Sequence, residues 1–187
     1  MSHKHILFAV LNWGLGHATR SIPVIRACLQ EGHTVTLASD GFPLKFLRRE
    51  FPALSAVELP GYDISYDPGA MTHRAWMLFL AVQSASRKEY QVVQQLHHEH
   101  AFDAVISDNR YGCYISGIPC ALMTHQLRIA GSNFAGNQLG TRAIRKWTRP
   151  FDYLWVPDTP ERKLSGKMSE DFDERMRFLG PLSDLVP

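Results

Sequence analysis

The 187-residue sequence is poor in cysteine, has no apolar run of membrane-spanning length and carries little excess charge of either sign. Its three cysteines match no metal-binding spacing, and their odd number fits no closed disulfide set, so we expect reduced thiols in a cytoplasmic protein. The net charge of +2 is too small to predict a nucleic-acid partner. The apolar run Ile6–Leu11 is too short for a signal peptide. The composition, 45% hydrophobic and 20% charged, predicts a soluble globular domain.

Short apolar runs alternate with helical patterns along the whole chain. Strands are predicted at Ile6–Leu11, Thr34–Ala38, Ala53–Leu59, Ala104–Ser107, Pro119–Thr124, Tyr153–Val156 and Arg177–Leu179. Helices are predicted at His17–Gln30, Phe42–Glu50 and Asn137–Thr148, with one long helix or two abutting helices within 72–103. In that long region an apolar stripe is formed by Trp76, Phe79, Leu80, Tyr90, Val93 and Leu96.

Strands separated by helices imply βαβ units and therefore a parallel sheet with helices on both faces. The sequence thus predicts an α/β fold: a Rossmann-like, doubly wound parallel sheet in three α/β/α layers. We place this domain at residues 1–180. Residues 181–187 contain two prolines and no periodicity, so we interpret them as the start of an interdomain linker.

The segment Asn12–Arg20, NWGLGHATR, directly follows the first predicted strand. Two glycines spaced by one residue allow a tight turn and a close approach of the backbone to a ligand. The helix that follows begins with unpaired N–H groups facing that ligand. If the strand order is 3-2-1-4-5, a crevice opens between strands one and four. Asn12–His17 and Asp108–Tyr111 then face each other across it, and His125 lies next along the same edge.

His17 is an unusual residue for a turn that only binds phosphate. The partial positive charge of a helix N-terminus disfavours the imidazolium, so we expect a neutral ring, the form that a general base requires. Asp108 would accept a hydrogen bond from the other ring nitrogen and stabilise the imidazolium formed during reaction. Alternatively, His17 caps or packs against its helix and Asp108 is the N-cap of the next one.

A glycine pair after a first strand also begins the dinucleotide-binding fingerprint. Here Thr19 stands where the third glycine belongs, and Asp40 lies later than the usual acidic position. An NAD(P)-dependent oxidoreductase domain is therefore the second hypothesis. A non-catalytic ligand-binding module with the same crevice is the third.

At GLGHATR the chain resembles the amino-terminal half of GT-B fold glycosyltransferases, in particular MurG-like and related bacterial or archaeal enzymes. The segment THQ at Thr124–Gln126 is similar to a histidine-containing segment after strand five of the MurG group. The segment FLGPL at Phe178–Leu182 resembles the passage into the interdomain linker of these enzymes. The resemblance covers essentially the whole chain.

The resemblance implies that this domain is the acceptor-binding half of a two-domain transferase. A nucleotide-sugar, for example a UDP-sugar, would be the co-substrate, held mainly by a carboxy-terminal donor-binding domain that this chain lacks. The chain alone is therefore expected to be inactive. The acceptor would be a saccharide or a lipid-linked hydroxyl, and no metal or other cofactor is expected.

The implied reaction is inverting transfer with His17 as general base. Several GT-B enzymes pair a histidine after strand one with an aspartate after strand four, and His17 and Asp108 occupy matching places, although MurG-like members depart from that pairing. The amides at Gly14–Gly16 would lie near the developing negative charge. Residues expected at the substrate, beside this catalytic pair, are Asn12, Trp13, Gly14, Gly16, Arg20, Tyr62, Asp63, Arg110, Tyr111, His125 and Gln126.

A basic helical face is spaced at i, i+3, i+4 and i+7 beside Trp147 and Phe151. It consists of Arg142, Arg145, Lys146 and Arg149. This face suits a lipid-phosphate acceptor or a peripheral contact with the inner face of an anionic membrane. An ordinary solvated face is the alternative.

Overall fold

A computed structural model describes residues 2–62, 71–127, 134–161, 164, 166–169 and 173–182, with the backbone alone at 71–78, 134–137, 167 and 169. The strands are β1 (His5–Val10), β2 (Thr34–Ser39), β3 (Ser55–Glu58), β4 (Ala104–Asp108), β5 (Cys120–Met123), β6 (Tyr153–Val156) and β7 (Met176–Phe178). The helices are α1 (Leu15–Gln30), α2 (Gly41–Glu50), α3 (Met71–His100) and α4 (Phe134–Thr148), with a short 3₁₀ helix at Gly166–Ser169. The predicted elements are all present, and residues 72–103 form one long helix rather than two.

The described strands form one parallel sheet in the order β3-β2-β1-β4-β5-β6-β7. This order contains the predicted arrangement 3-2-1-4-5, so the winding reverses between β1 and β4. Val10, the last residue of β1, is in register with Asp108, the last residue of β4. The two chains therefore leave the sheet side by side, and the backbone N–H of Leu11 donates to the carbonyl of Asp108 at 3.1 Å. The predicted switch point of the sheet is therefore at this carboxyl edge.

The two faces of the sheet bury separate cores because successive strand side chains point to opposite sides. On one face Leu7 belongs to a cluster with Val93 of α3 and Ile144 of α4. On the other face Phe8 belongs to a cluster with Ile25 of α1. These two clusters give the three-layer α/β/α arrangement, and the doubly wound fold predicted from the sequence is confirmed.

One position of the predicted apolar stripe on α3 is wrong. Val93 is fully buried, whereas Leu80 is 44% exposed; the side chain of Trp76 lies outside the described residues. An apolar residue of a long helix can remain exposed, because such a helix packs only part of its surface against the rest of the protein. Among the described residues, no helix combines the length and apolar character needed to cross a bilayer.

The connection between β4 and β5 bears on the alternative in which Asp108 caps a following helix. Residues 109–119 are all described and consist of turns and extended segments instead of a helix. This loop packs closely on α3 through Gly112. A Cβ atom at Gly112 would lie 2.1 Å from the carbonyl oxygen of Ser86 and 2.7 Å from Cβ of Glu89. Only glycine lets the loop approach the helix this closely.

We expect Gly112→Ala to lower the free energy of unfolding by about 1–3 kcal/mol, because the backbone of α3 must shift to admit the methyl group. Equilibrium urea denaturation measures the change. Gly16→Ala is the matched control, since a Cβ there meets nothing within 4 Å. Equal stability of the two variants would contradict the close packing of the loop on α3.

Candidate active site

The turn between β1 and α1 places His17 at the carboxyl edge of the sheet. Gly14 has a backbone φ of 85° and precedes the first helical residue, Leu15. This left-handed conformation favours glycine, and both Gly14 and Gly16 are exposed. His17 lies in the first turn of α1, with 12% of its side chain exposed.

Asp108 ends β4 and its side chain has no exposed surface. Nδ1 of His17 lies 2.9 Å from its Oδ1, and Nε of Arg20 donates to its Oδ2 at 2.8 Å. Nη2 of Arg20 also donates to Oδ1, and the hydroxyl of Ser21 lies 3.3 Å from Oδ2. Burial acts to raise the pKa of Asp108, but the hydrogen bonds from His17 and Arg20 and the charge of Arg20 outweigh it and lower the pKa. Asp108 is therefore a buried, ionised acceptor.

The structure brings together the two residues predicted to be catalytic. The alternative in which Asp108 caps the next helix is wrong, because no helix follows β4 within residues 109–119. His125, just after β5, joins the same group: its Nδ1 lies 3.1 Å from Nη1 of Arg20. Burial, followed by the charges of Arg20 and His17, lowers the pKa of His125.

A second buried cluster surrounds Arg110, whose side chain has no exposed surface. Its Nε donates to the carbonyl of Val10 at 2.8 Å, and its Nη1 donates to Glu89 on α3 at 2.7 Å. Its Nη2 pairs with Asp40 after β2, and the guanidinium lies 5.8 Å from the ring centroid of Tyr62. These partners tie the ends of β1, β2 and β4 to α3. Arg110 was predicted to bind substrate, but its guanidinium donates its hydrogen bonds to groups within the protein.

Asn12 and Tyr62 also contact this cluster. Nδ2 of Asn12 donates to Asp40 at 2.9 Å, and the hydroxyl of Tyr62 donates to Glu89 at 2.8 Å. Trp13 is 45% exposed at the edge and makes an edge-to-face contact with Tyr62, with ring centroids 6.5 Å apart. Of the predicted substrate residues on this side, Trp13 offers the most surface to a ligand.

Three other predicted residues lie apart from the two clusters or outside the described ranges. Tyr111 packs against Trp147 of α4, with ring centroids 5.2 Å apart. Gln126 is exposed beside His125. Asp63 lies outside the described residues.

Asn109 and Glu89 are site residues that the sequence did not reveal. Asn109 is 8% exposed, has a φ of 57° and lies between Asp108 and Arg110. Its Oδ1 is buried without a hydrogen-bond partner among the described residues. Asparagine tolerates the left-handed region better than most residues, so a strand-ending Asp-Asn pair was the available clue. Glu89 carried no clue, because it lies within a helical pattern.

Burial raises the pKa of Glu89 from 4.5 to about 8, against hydrogen bonds from Tyr62 and Gly112 that lower it. Burial lowers the pKa of Arg110 to about 10, so its guanidinium remains a cation at neutral pH. A proton on Glu89 leaves Arg110 balanced by Asp40 alone. The second cluster is then electrically neutral.

The family of the chain follows from a match to the model of glycosyl transferase family 1 over residues 4–127. The matched part is more than half of the chain and contains His17, Asp108 and His125. The chain belongs to glycosyl transferase family 1. No match is found among curated protein sequences.

Solved structures similar to this glycosyl transferase family 1 domain include three transferases. CalG4, the calicheamicin glycosyltransferase, has a TM-score of 0.62 and 17% identity, covering 97% of this chain and 53% of that one. MurG of Acinetobacter baumannii has a TM-score of 0.56 and 12% identity, covering 95% and 45%. UGT2 of Phytolacca americana, complexed with UDP-2-fluoro-glucose and pterostilbene, has a TM-score of 0.62 and 13% identity, covering 97% and 55%.

These TM-scores establish the fold, that of a domain of GT-B glycosyltransferases. The chain spans about half the length of these structures. The resemblance drawn from GLGHATR is therefore confirmed at the level of family and fold.

The raised pKa of Glu89 predicts how stability depends on pH. Because the folded state favours the protonated carboxyl, the free energy of unfolding falls as the pH rises from 4.5 to about 8 and then levels off. We expect Glu89→Gln to remove this slope in urea denaturation between pH 5 and 9. Glu50→Gln, at a more exposed carboxylate on α2, is the control and should leave the slope unchanged. Parallel curves for the wild type and Glu89→Gln would contradict the prediction.

Proposed function

We propose that this domain binds the acceptor in an inverting glycosyl transfer and that His17 is the general base. The observation that carries the proposal is the 2.9 Å contact between Nδ1 of His17 and the fully buried carboxylate of Asp108. An ionised carboxylate only accepts hydrogen bonds, so a hydrogen bond in this contact requires the proton on Nδ1 of His17. Nε2 then has the free lone pair that a base needs.

In the proposed reaction Nε2 of His17 removes the proton of an acceptor hydroxyl. The hydroxyl oxygen attacks the anomeric carbon of the sugar, and the bond from that carbon to the nucleotide diphosphate breaks. The imidazolium that forms is stabilised by Asp108. Gly14 and Gly16 are exposed at the N-terminus of α1, and the unpaired N–H groups of this helix end favour negative charge at this edge. General-base catalysis of this kind contributes about 10²–10⁴ in rate.

The donor in this proposal is a nucleotide-sugar held mainly by a carboxy-terminal domain. The Phytolacca americana relative of the same fold was solved with UDP-2-fluoro-glucose, which supports a UDP-sugar as the first donor to test. The acceptor is a saccharide or a lipid-linked hydroxyl, and exposed Trp13 is suited to stack on a sugar ring. The proposed reaction uses no metal or redox cofactor.

The dinucleotide hypothesis is disfavoured by the partners of Asp40. Its carboxylate is paired with Arg110 and accepts a hydrogen bond from Asn12 at 2.9 Å. An adenosine ribose would have to displace these contacts, one of which is to a buried cation. The family match to a glycosyl transferase points the same way.

The decisive variant is His17→Ala, assayed with the carboxy-terminal domain present. We expect kcat to fall about 10²–10⁴-fold while the affinity for UDP, measured by isothermal titration calorimetry, stays within about twofold. His98→Ala is the matched control, because His98 is exposed at the far end of α3. Near-normal turnover in His17→Ala would refute the proposed base, and a wild-type protein without turnover would favour the binding module.

We also propose a peripheral membrane contact through the basic face of α4. Arg142, Arg145 and Lys146 on α4 are exposed, as is Arg149 in the turn directly after the helix, and Leu139 on α4 is 65% exposed. Co-sedimentation with vesicles should rise with the fraction of anionic lipid and fall on charge reversal of Arg142 and Arg149. Binding that ignores the anionic fraction would rule this contact out.

A further inference from the structure

Arg20 contacts each of the three ionisable residues grouped at the edge of the sheet, which are His17, Asp108 and His125. Little of its own side chain is exposed. It lies three residues after His17, on the same face of α1. Its Nε and Nη2 grip the two oxygens of Asp108, its Nη1 lies 3.1 Å from Nδ1 of His125, and its Nη2 lies 2.8 Å from Nδ1 of His17. With 13% of its side chain exposed and these partners engaged, Arg20 is poorly placed to bind a substrate.

The contact with His125 determines where the proton sits on that ring. A guanidinium has only donors, so Nδ1 of His125 has to accept the hydrogen bond from Nη1 of Arg20. A neutral ring that accepts at Nδ1 carries its proton on Nε2. His125 is therefore fixed as a neutral ring with an Nε2–H donor.

The ring of His17 is fixed in the opposite way. Its Nδ1 has two neighbours, the acceptor Oδ1 of Asp108 at 2.9 Å and the donor Nη2 of Arg20 at 2.8 Å. A ring nitrogen can donate to the first or accept from the second, but not both. An ionised carboxylate is the stronger acceptor, so we assign the proton on Nδ1 of His17 to Oδ1 of Asp108, and Arg20 stays beside the ring as a cation that also donates to this carboxylate.

We propose that Arg20 is a positioning residue that gives His17 and His125 opposite tautomers and keeps both rings neutral. The inference rests on the proposed function only for its effect on turnover. With these opposite tautomers, one edge of the sheet offers an imidazole lone pair at Nε2 of His17 and an imidazole N–H at Nε2 of His125. These are the acceptor and the donor that a proton transfer between oxygens requires.

The charges around the two rings support this role. The charges of Arg20 and Asp108 cancel, so a proton added to His17 gives these three residues a net charge of +1. Without Arg20, the same proton would leave His17 and Asp108 as a neutral pair. Asp158, after β6, is the other acidic group that acts on His125, and it favours the protonated ring, as Asp108 does. Arg20 opposes both carboxylates, so its removal should let His125 take up a proton at higher pH.

The test is imidazole ¹H–¹⁵N NMR of the ¹⁵N-labelled chain, assigned with His17→Gln and His125→Gln. We expect a proton on Nδ1 of His17 and on Nε2 of His125 in the wild type. In Arg20→Met the pKa of His125 should rise by about 1 unit and its tautomers should mix. Arg20→Lys keeps the charge without the planar fork, so the pKa should stay low while the tautomers mix. Arg26→Met, on the outer face of the same helix, should change neither property.

A wild-type His125 with its proton on Nδ1 would overturn the inference, whatever the stability of the variants. So would an unchanged His125 titration in Arg20→Met. With the carboxy-terminal domain present, kcat/KM should be lower in Arg20→Met than in the wild type, with Arg20→Lys between the two. The NMR outcome does not depend on turnover, so it separates a failure of this inference from a failure of His17 as the base.

Discussion

The buried carboxylate of Asp108 imposes the strictest condition on this structure, since an ion without exposed surface needs both a counter-charge and hydrogen bonds. Helix α1 supplies both. Arg20 gives the cation and His17 the ring N–H, and their three-residue spacing puts them on one face of the helix. Satisfying Asp108 therefore fixes how α1 is rotated above the sheet, and this rotation brings His17 to the carboxyl edge.

The same edge is held a second time by a buried cation. Arg110, two residues after Asp108, joins the ends of β1 and β2 to α3 through Val10, Asp40 and Glu89. Between Asp108 and Arg110 the chain passes through the left-handed conformation of Asn109, so that the anion faces α1 and the cation faces α3. Each buried charge thus organises one wall of the crevice. Apolar packing holds the layers together, whereas these two ions set the geometry at their edge.

The sheet order, and with it the meeting of His17 and Asp108, could be predicted from the sequence. Alternating strands and helices imply a parallel sheet, and the carboxyl ends of parallel strands lie at one edge. The roles of Arg20 and Arg110 could not be predicted in the same way. A sequence shows that an arginine lies at the edge, but its availability to a substrate depends on how many of its donors the protein itself occupies. The same limit applies to Leu80, whose exposure depends on which stretch of α3 the sheet covers.

The choice of arginine at position 20 follows from the shape of its side chain. A guanidinium is planar, so two of its nitrogens can face the oxygens of Asp108 while the third reaches His125, whereas a lysine ammonium would act as one point charge. Because Arg20 already balances Asp108, the carboxylate does not require a protonated His17 as its counter-ion. A lone histidine–aspartate pair buried at this edge would favour the imidazolium, the form that cannot act as a base. In GLGHATR the glycines make the turn, and in the proposed mechanism the histidine supplies the lone pair of the base while the arginine positions its ring.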